Sequence, residues 1–161
     1  MFNLSKKNLF ISILFISLIA LLSAYFIEYI LGHQPCSLCL YERIPFFLAI
    51  LVVLTNYKYN KLEKYFILLL AIIFFIATIL SLYHFGIEQG FIQESLLCDL
   101  KQGSNILDKD EILKQLQQKS ISCKDVTFKI FGLSLTSYNI IVSLLLTIGL
   151  MKIYLGYEKN R

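Results

Sequence analysis

Pro35-Cys36-Ser37-Leu38-Cys39-Leu40-Tyr41-Glu42-Arg43 sets two thiols three residues apart against a long apolar run. Such a pair can share a disulfide or bind one metal ion. With Pro35 at the first helical position, both sulfurs lie at the positive N-terminal end of a helix, where thiolate is favoured over thiol. Arg43 then falls one turn beyond Cys39 on the same face. A permanent cation buried there is expensive unless it holds an anion or a polar ligand, which marks Arg43 as a binding residue more than a snorkelling one. Two further cysteines, Cys98 and Cys123, stand singly later in the chain, and Tyr83-His84-Phe85-Gly86-Ile87-Glu88 closes another apolar run.

The elements that must position these groups are membrane helices. The 161 residues are 57% apolar with a mean hydropathy of +0.69, against roughly 45–50% apolar in soluble domains. Only two prolines and seven glycines interrupt the chain, so long helices are easier to build than the alternating strands of an outer-membrane barrel. Four apolar runs, about residues 9–31, 40–57, 65–85 and 133–155, are long enough to span a hydrocarbon core of about 30 Å. The first is too long for a signal peptide core, and Phe26-Ile27-Glu28-Tyr29 is a poor cleavage site. Pro45 removes one backbone donor and is expected to kink or thin the second span near the cysteines. The expectation is one all-α membrane domain over residues 1–161, a four-helix up-and-down bundle.

Charge orients it. Lys6 and Lys7, the Lys58–Lys64 loop, and Lys152, Lys159 and Arg161 fall at one end, which the positive-inside rule makes cytoplasmic, both termini included. Loops 32–39 and 86–132 then face the exported side. The longer loop holds seven acidic residues and six lysines, a near balance suited to export, and its length marks it as functional or disordered. Within it, Asp108–Lys119 places Ile112, Leu113 and Leu116 at helical spacing, predicting a short amphipathic helix on the membrane surface or packed on its own loop. All four cysteines fall at the exported face, with Arg43, His84 and Glu88, in a compartment where disulfides persist.

Three uses of such thiols compete. Two structural disulfides stapling the exported loop suit Cys98 and Cys123, but a bridge across two residues restricts the unfolded chain little and tends to be labile. A Cys₄ or Cys₃His metal site commonly draws on two close pairs, and Cys98 and Cys123 are far apart. Thiol-disulfide exchange, with one pair meeting a protein and the other handing electrons to a cofactor in the membrane, uses Arg43 and His84 as well.

The Pro-Cys-x-x-Cys-x-x-Glu-Arg string of Pro35–Arg43, the Tyr83–Glu88 segment and the two later loop cysteines resemble the DsbB family of membrane disulfide oxidoreductases. The resemblance implies a four-helix enzyme of the bacterial inner membrane. Such an enzyme reoxidises a periplasmic thioredoxin-like thiol oxidase, DsbA or a dedicated homologue, and passes the electrons to a quinone, ubiquinone or menaquinone. It implies no metal and no nucleic acid. Carried over by motif, Cys98 is attacked by the reduced partner, Cys123 leaves and is captured by Cys36, and Cys39 is freed as a thiolate. Arg43 stabilises that thiolate and binds a quinone oxygen, and His84 binds or protonates the reduced quinone. Glu42 and Glu88 match the family string; each caps, pairs with Arg43 or faces water. A vitamin K epoxide reductase-like enzyme is also a small helical membrane thiol protein, but there the paired cysteines follow the loop cysteines, whereas here they precede them. A non-enzymatic membrane protein with a stapled loop is the alternative of a different class.

Overall fold

In lipid every backbone N–H and C=O must be satisfied within the segment, and this overrides the weak helix propensity of the many isoleucines and phenylalanines in this chain. The computed structural model describes residues 6–58, 62–93, 123–124, 129–130 and 132–159. The helices are α1 (Lys6–Tyr29), α2 (Ser37–Tyr41), α3 (Arg43–Lys58), α4 (Glu63–Glu88) and α5 (Leu135–Lys159), and a hairpin of β1 (Lys129–Ile130) and β2 (Leu133–Ser134) precedes α5. Among the described residues four spans, Asn8–Tyr29, Ser37–Tyr57, Glu63–Glu88 and Leu135–Gly156, are long and apolar enough to cross a membrane. The protein is a helical, multi-pass membrane protein. Cys98 and the segment 108–119 expected to form an amphipathic helix lie outside the described residues.

The second span differs from expectation at its start. Pro35 does not open the helix; Cys36 is the N-cap, in extended conformation, and its Sγ accepts a hydrogen bond from the Cys39 N–H at 3.2 Å. That is the cap-to-third-residue geometry ordinarily supplied by serine or aspartate. The span is also broken at Glu42, between α2 and α3. Pro45 has no N–H to offer the Tyr41 carbonyl, so the break sits where the ladder loses a rung.

The third span runs one turn further than its apolar pattern, to Glu88. The added turn places Glu88 four residues beyond His84 on one face. It stops in a Schellman turn: Gly90 takes φ +76°, its N–H bonds to the Ile87 carbonyl, and the Phe91 N–H reaches back to Gly86. A side chain at position 90 would resist that left-handed backbone. The fourth span begins at Leu135 and not Leu133, because Leu133 and Ser134 pair with Ile130 and Lys129 in the antiparallel hairpin, turned at Gly132 with φ +83°.

α4 lies along α5, while α3 packs between α1 and α4. The interior is layered along the bundle. Phe10 and Ile13 of α1, Phe46 and Ala49 of α3, and Leu70 and Phe74 of α4 form the larger apolar layer, where the rings of Phe46 and Phe74 meet edge to face at 5.8 Å. Ser17, Ser81 and Ser143 are fully buried, small enough to let backbones approach. A second cluster at the other end joins Cys36, Leu38, Ile87 and Cys123. Adjacent α4 residues show the division between interior and lipid: Phe74 is wholly buried and Phe75 is 55% exposed. Phe74→Ala is therefore expected to lower folding stability in detergent by about 3–5 kcal/mol, whereas Phe75→Ala, which trades only lipid contact, changes it by less than about 1 kcal/mol. Equal losses in denaturant titrations of the two variants would show that this division is wrong.

Candidate functional site

The site begins at the α2/α3 break. Glu42 occupies it, and its two carboxylate oxygens go to different helices: Oε1 lies 2.9 Å from Nδ1 of His84 in α4, and Oε2 accepts from Nδ2 of Asn139 in α5 at 2.9 Å. Asn139 also donates to Ser81 Oγ at 2.8 Å. Because a carboxylate accepts, the His84 Nδ1 carries the donated proton and Nε2 is left facing Cys36 Sγ at 3.5 Å. One residue on, Arg43 turns the opposite way: its guanidinium pairs with Glu28 of α1 and lies over the Tyr25 ring, 5.1 Å from the centroid.

These partners change three expectations. Neither Glu42 nor Glu88 pairs with Arg43. Glu42 is the hub just described, and Glu88 accepts hydrogen bonds from Thr136 at 2.6 Å and Ser134 at 2.7 Å. The anion that balances Arg43 is Glu28, the one acidic residue of α1. A carboxylate inside a membrane helix demands a partner, so Glu28 carried the signal; the pairing needed the packing of α1 on α3. Asn139 and Thr136 carried weaker signals as polar residues early in the fourth span. Thiolate is not favoured at both cysteines either: hydrogen bonding with Cys39 and then burial push the Cys36 thiol well above its usual value, against the opposite pull of His84.

Cys36, Cys39, Arg43, His84 and Cys123 line one cavity of about 320 Å³, at the lower end of the range for small-molecule sites. Its walls come from Ala20, Ala24 and Ile27 of α1, Phe46 of α3 and Val142 of α5, and Glu28, Glu42 and Glu88 also reach it. Cys36 and Cys39 are free thiols, and their sulfurs and a ring nitrogen of His84 all lie within 4.8 Å of one another. Cys36 is 6% exposed and Cys123 2%, so thiol chemistry at either is sheltered from bulk water. Of the catalytic and cofactor-binding candidates Cys36, Cys39, Arg43, His84, Cys98 and Cys123, Cys98 alone falls outside the described residues.

Membrane-length helices around an interior cavity with a Cys-x-x-Cys pair at its wall define a multi-pass membrane thiol protein. The family model described as "Disulfide bond formation protein DsbB" matches residues 6–153. An uncharacterized protein of Rickettsia prowazekii (strain Madrid E) is 37% identical over 156 residues, covering 92% of this chain and 88% of that one. The chain belongs to the DsbB family, whose work is disulfide bond formation at the membrane, and it is a disulfide oxidoreductase of that kind.

The Glu28–Arg43 pair is mostly withdrawn from solvent, its side chains 21% and 15% exposed. Removing one partner strands the other charge, while removing both does not. Glu28→Gln and Arg43→Gln are each expected to cost about 1–3 kcal/mol, and the double variant less than their sum by at least about 1 kcal/mol. Strictly additive losses in a double-mutant cycle would show that the two charges are not coupled.

Proposed function

We propose that this protein reoxidises a DsbA-like, thioredoxin-fold thiol oxidase on the exported side of the bacterial inner membrane and passes the electrons to a membrane quinone, ubiquinone or menaquinone. The observation that carries the reading is the convergence of Cys36, Cys39, Cys123 and Arg43 on one apolar-walled cavity inside the helices. The lysine distribution supports an orientation with both termini cytoplasmic and the cysteines exported. The residues present suit a quinone: apolar walls for a lipid-soluble ring, a guanidinium for a ring oxygen, and a sulfur pair beside it. When bound, a quinone supplies an acceptor for two electrons and two protons.

The exchange chemistry belongs to the protein's own thiols. A thiolate of the reduced partner attacks Sγ of Cys98, breaking a Cys98–Cys123 disulfide and releasing Cys123 as thiolate. Cys123 attacks Sγ of Cys36, breaking a Cys36–Cys39 disulfide and releasing Cys39. The partner's second thiolate then displaces Cys98 and closes the partner's disulfide; Cys98 in turn displaces Cys36 from Cys123. Two electrons have moved from the partner dithiol to Cys36 and Cys39, and each sulfur leaves as a thiolate. The packing of Cys123 in one buried cluster with Cys36 supports the hand-off. Arg43 holds positive potential at Cys39, one helical turn away, and stays balanced by Glu28 when no ligand is present. Nδ1 of His84, fixed by Glu42, leaves Nε2 to exchange a proton with Cys36.

Purified protein given reduced DsbA and a quinone titration tests the reading. Cys36→Ser and Cys39→Ser are each expected to abolish quinone reduction while leaving membrane insertion intact; normal turnover in either would defeat the assignment. A DsbA variant lacking its second thiol is expected to be trapped on Cys98, and trapping that survives Cys98→Ser but fails in Cys123→Ser would invert the order of exchange.

Arg43→Lys keeps the charge but loses the planar fork of donors. The quinone KM is expected to rise about five- to hundred-fold, the equivalent of about 1–3 kcal/mol, with single-turnover exchange at Cys98 barely altered. An unchanged KM and turnover in both Arg43→Lys and Arg43→Ala would remove Arg43 from the site.

A further inference from the structure

We propose that the reduced form of this protein binds one thiophilic divalent cation, Zn²⁺ or a d-block equivalent, through Cys36 Sγ, Cys39 Sγ and His84 Nε2. The two sulfurs and a ring nitrogen of His84 lie within 4.8 Å of one another. A tetrahedral zinc with bonds of about 2.3 Å to sulfur and about 2.05 Å to nitrogen holds those ligands roughly 3.5 Å apart, and Cys36 Sγ and His84 Nε2 stand at 3.5 Å. The metal-facing nitrogen is the correct one. Nδ1 is committed to Glu42 at 2.9 Å, which leaves Nε2 toward Cys36 Sγ and reproduces the carboxylate–histidine pairing that orients ligands and raises their basicity at zinc sites.

Charge favours a cation as well. Glu88 Oε1 lies 3.9 Å from Nε2, adding a second carboxylate to Glu42, and the one arginine at the cavity is balanced by Glu28. Two thiolates, two carboxylates and a neutral imidazole in a buried site leave the dithiolate badly destabilised unless it takes up protons or a metal ion. Binding is an exchange without redox change: Zn²⁺ replaces the two thiol protons, which are released to solvent, and two Zn–S bonds form. The fourth position falls to water or an anion from the cavity that all three ligands line. A cation held here keeps Cys36 and Cys39 from closing a disulfide and so arrests the protein in its reduced form.

The test uses full-length protein in lipid nanodiscs, reduced with a phosphine, freed of it under inert gas and titrated with Co²⁺. No partner and no quinone are present, so this test and the proposed electron transfer fail independently. One equivalent of Co²⁺ is expected, with thiolate-to-cobalt charge-transfer bands and the visible bands of tetrahedral coordination, both erased by Zn²⁺. The disulfide form of the unaltered protein is expected to bind none, a control that needs no substitution. The Cys98→Ser/Cys123→Ser variant should keep the spectrum, Cys36→Ser and Cys39→Ser should each lose it, and Glu42→Gln should weaken binding about 10–100-fold. Absence of sulfur-to-cobalt bands in the reduced protein would overturn the proposal. So would wild-type affinity in the disulfide form or in a Cys36→Ser/Cys39→Ser variant, or loss of binding in Cys98→Ser/Cys123→Ser.

Discussion

Two adjacent residues at a break in the second span tie together every membrane-length helix described. Glu42 reaches α4 through His84 and α5 through Asn139, and Arg43 reaches α1 through Glu28. An apolar bundle in lipid has little to choose between one rotation of its helices and another, since a leucine gains no more from a neighbouring helix than from an acyl chain. Charged and hydrogen-bonding groups do discriminate, because an unmet partner in the hydrocarbon costs several kilocalories per mole. Glu42 and Arg43 therefore fix the rotation and depth of the spanning helices at the cysteine end, while the apolar layer that starts beneath the cavity at Phe46 and Phe74 fills the rest of the bundle.

The same arrangement makes the site. To satisfy Glu42, α4 must present His84 to it, and the ring then lies with its other nitrogen on Cys36. To satisfy Arg43, α1 must bring Glu28 across the bundle, and the cavity is the space left between that pair, the cysteines and the apolar walls. The Pro45-dependent break lets residues 42 and 43 point to different helices without a long helix having to bend smoothly. Cys36 as N-cap adds a further coupling: the sulfur that lies against His84 also caps the helix that carries Cys39. A chemical change at Cys36 is thereby felt at the start of α2.

Glu88 shows how one extra helical turn extends the polar network. Its carboxylate is held by Thr136 and Ser134, the latter placed by the β1–β2 hairpin, and Thr136 lies 3.3 Å from His84 Nδ1. The hairpin thus fixes the entry of α5 so that its first polar residues meet the end of α4. That is a substantial role for two strands of two residues each.

Hydropathy alone gave the four spans to within a few residues, because the bilayer permits almost nothing else to a chain of this composition. The Pro35–Arg43 string and its resemblance to the DsbB family gave the family, since closely spaced residues on one helix need no tertiary contact to be recognised. Partners were another matter. That Arg43 answers to Glu28, that Glu42 answers to His84 and Asn139, and that Cys123 joins the buried cluster of Cys36 from far along the chain depend on how helices rotate and which faces meet. Periodicity in uniformly apolar helices does not encode that, for it leaves no preferred face. The helix start at Ser37, two residues beyond Pro35, was likewise decided by a hydrogen bond that the side chain of the Cys36 cap accepts from the backbone. The sequence determined which groups lie in the membrane and near which end; the tertiary structure decided which charges neutralise one another, and with that the shape and chemistry of the cavity.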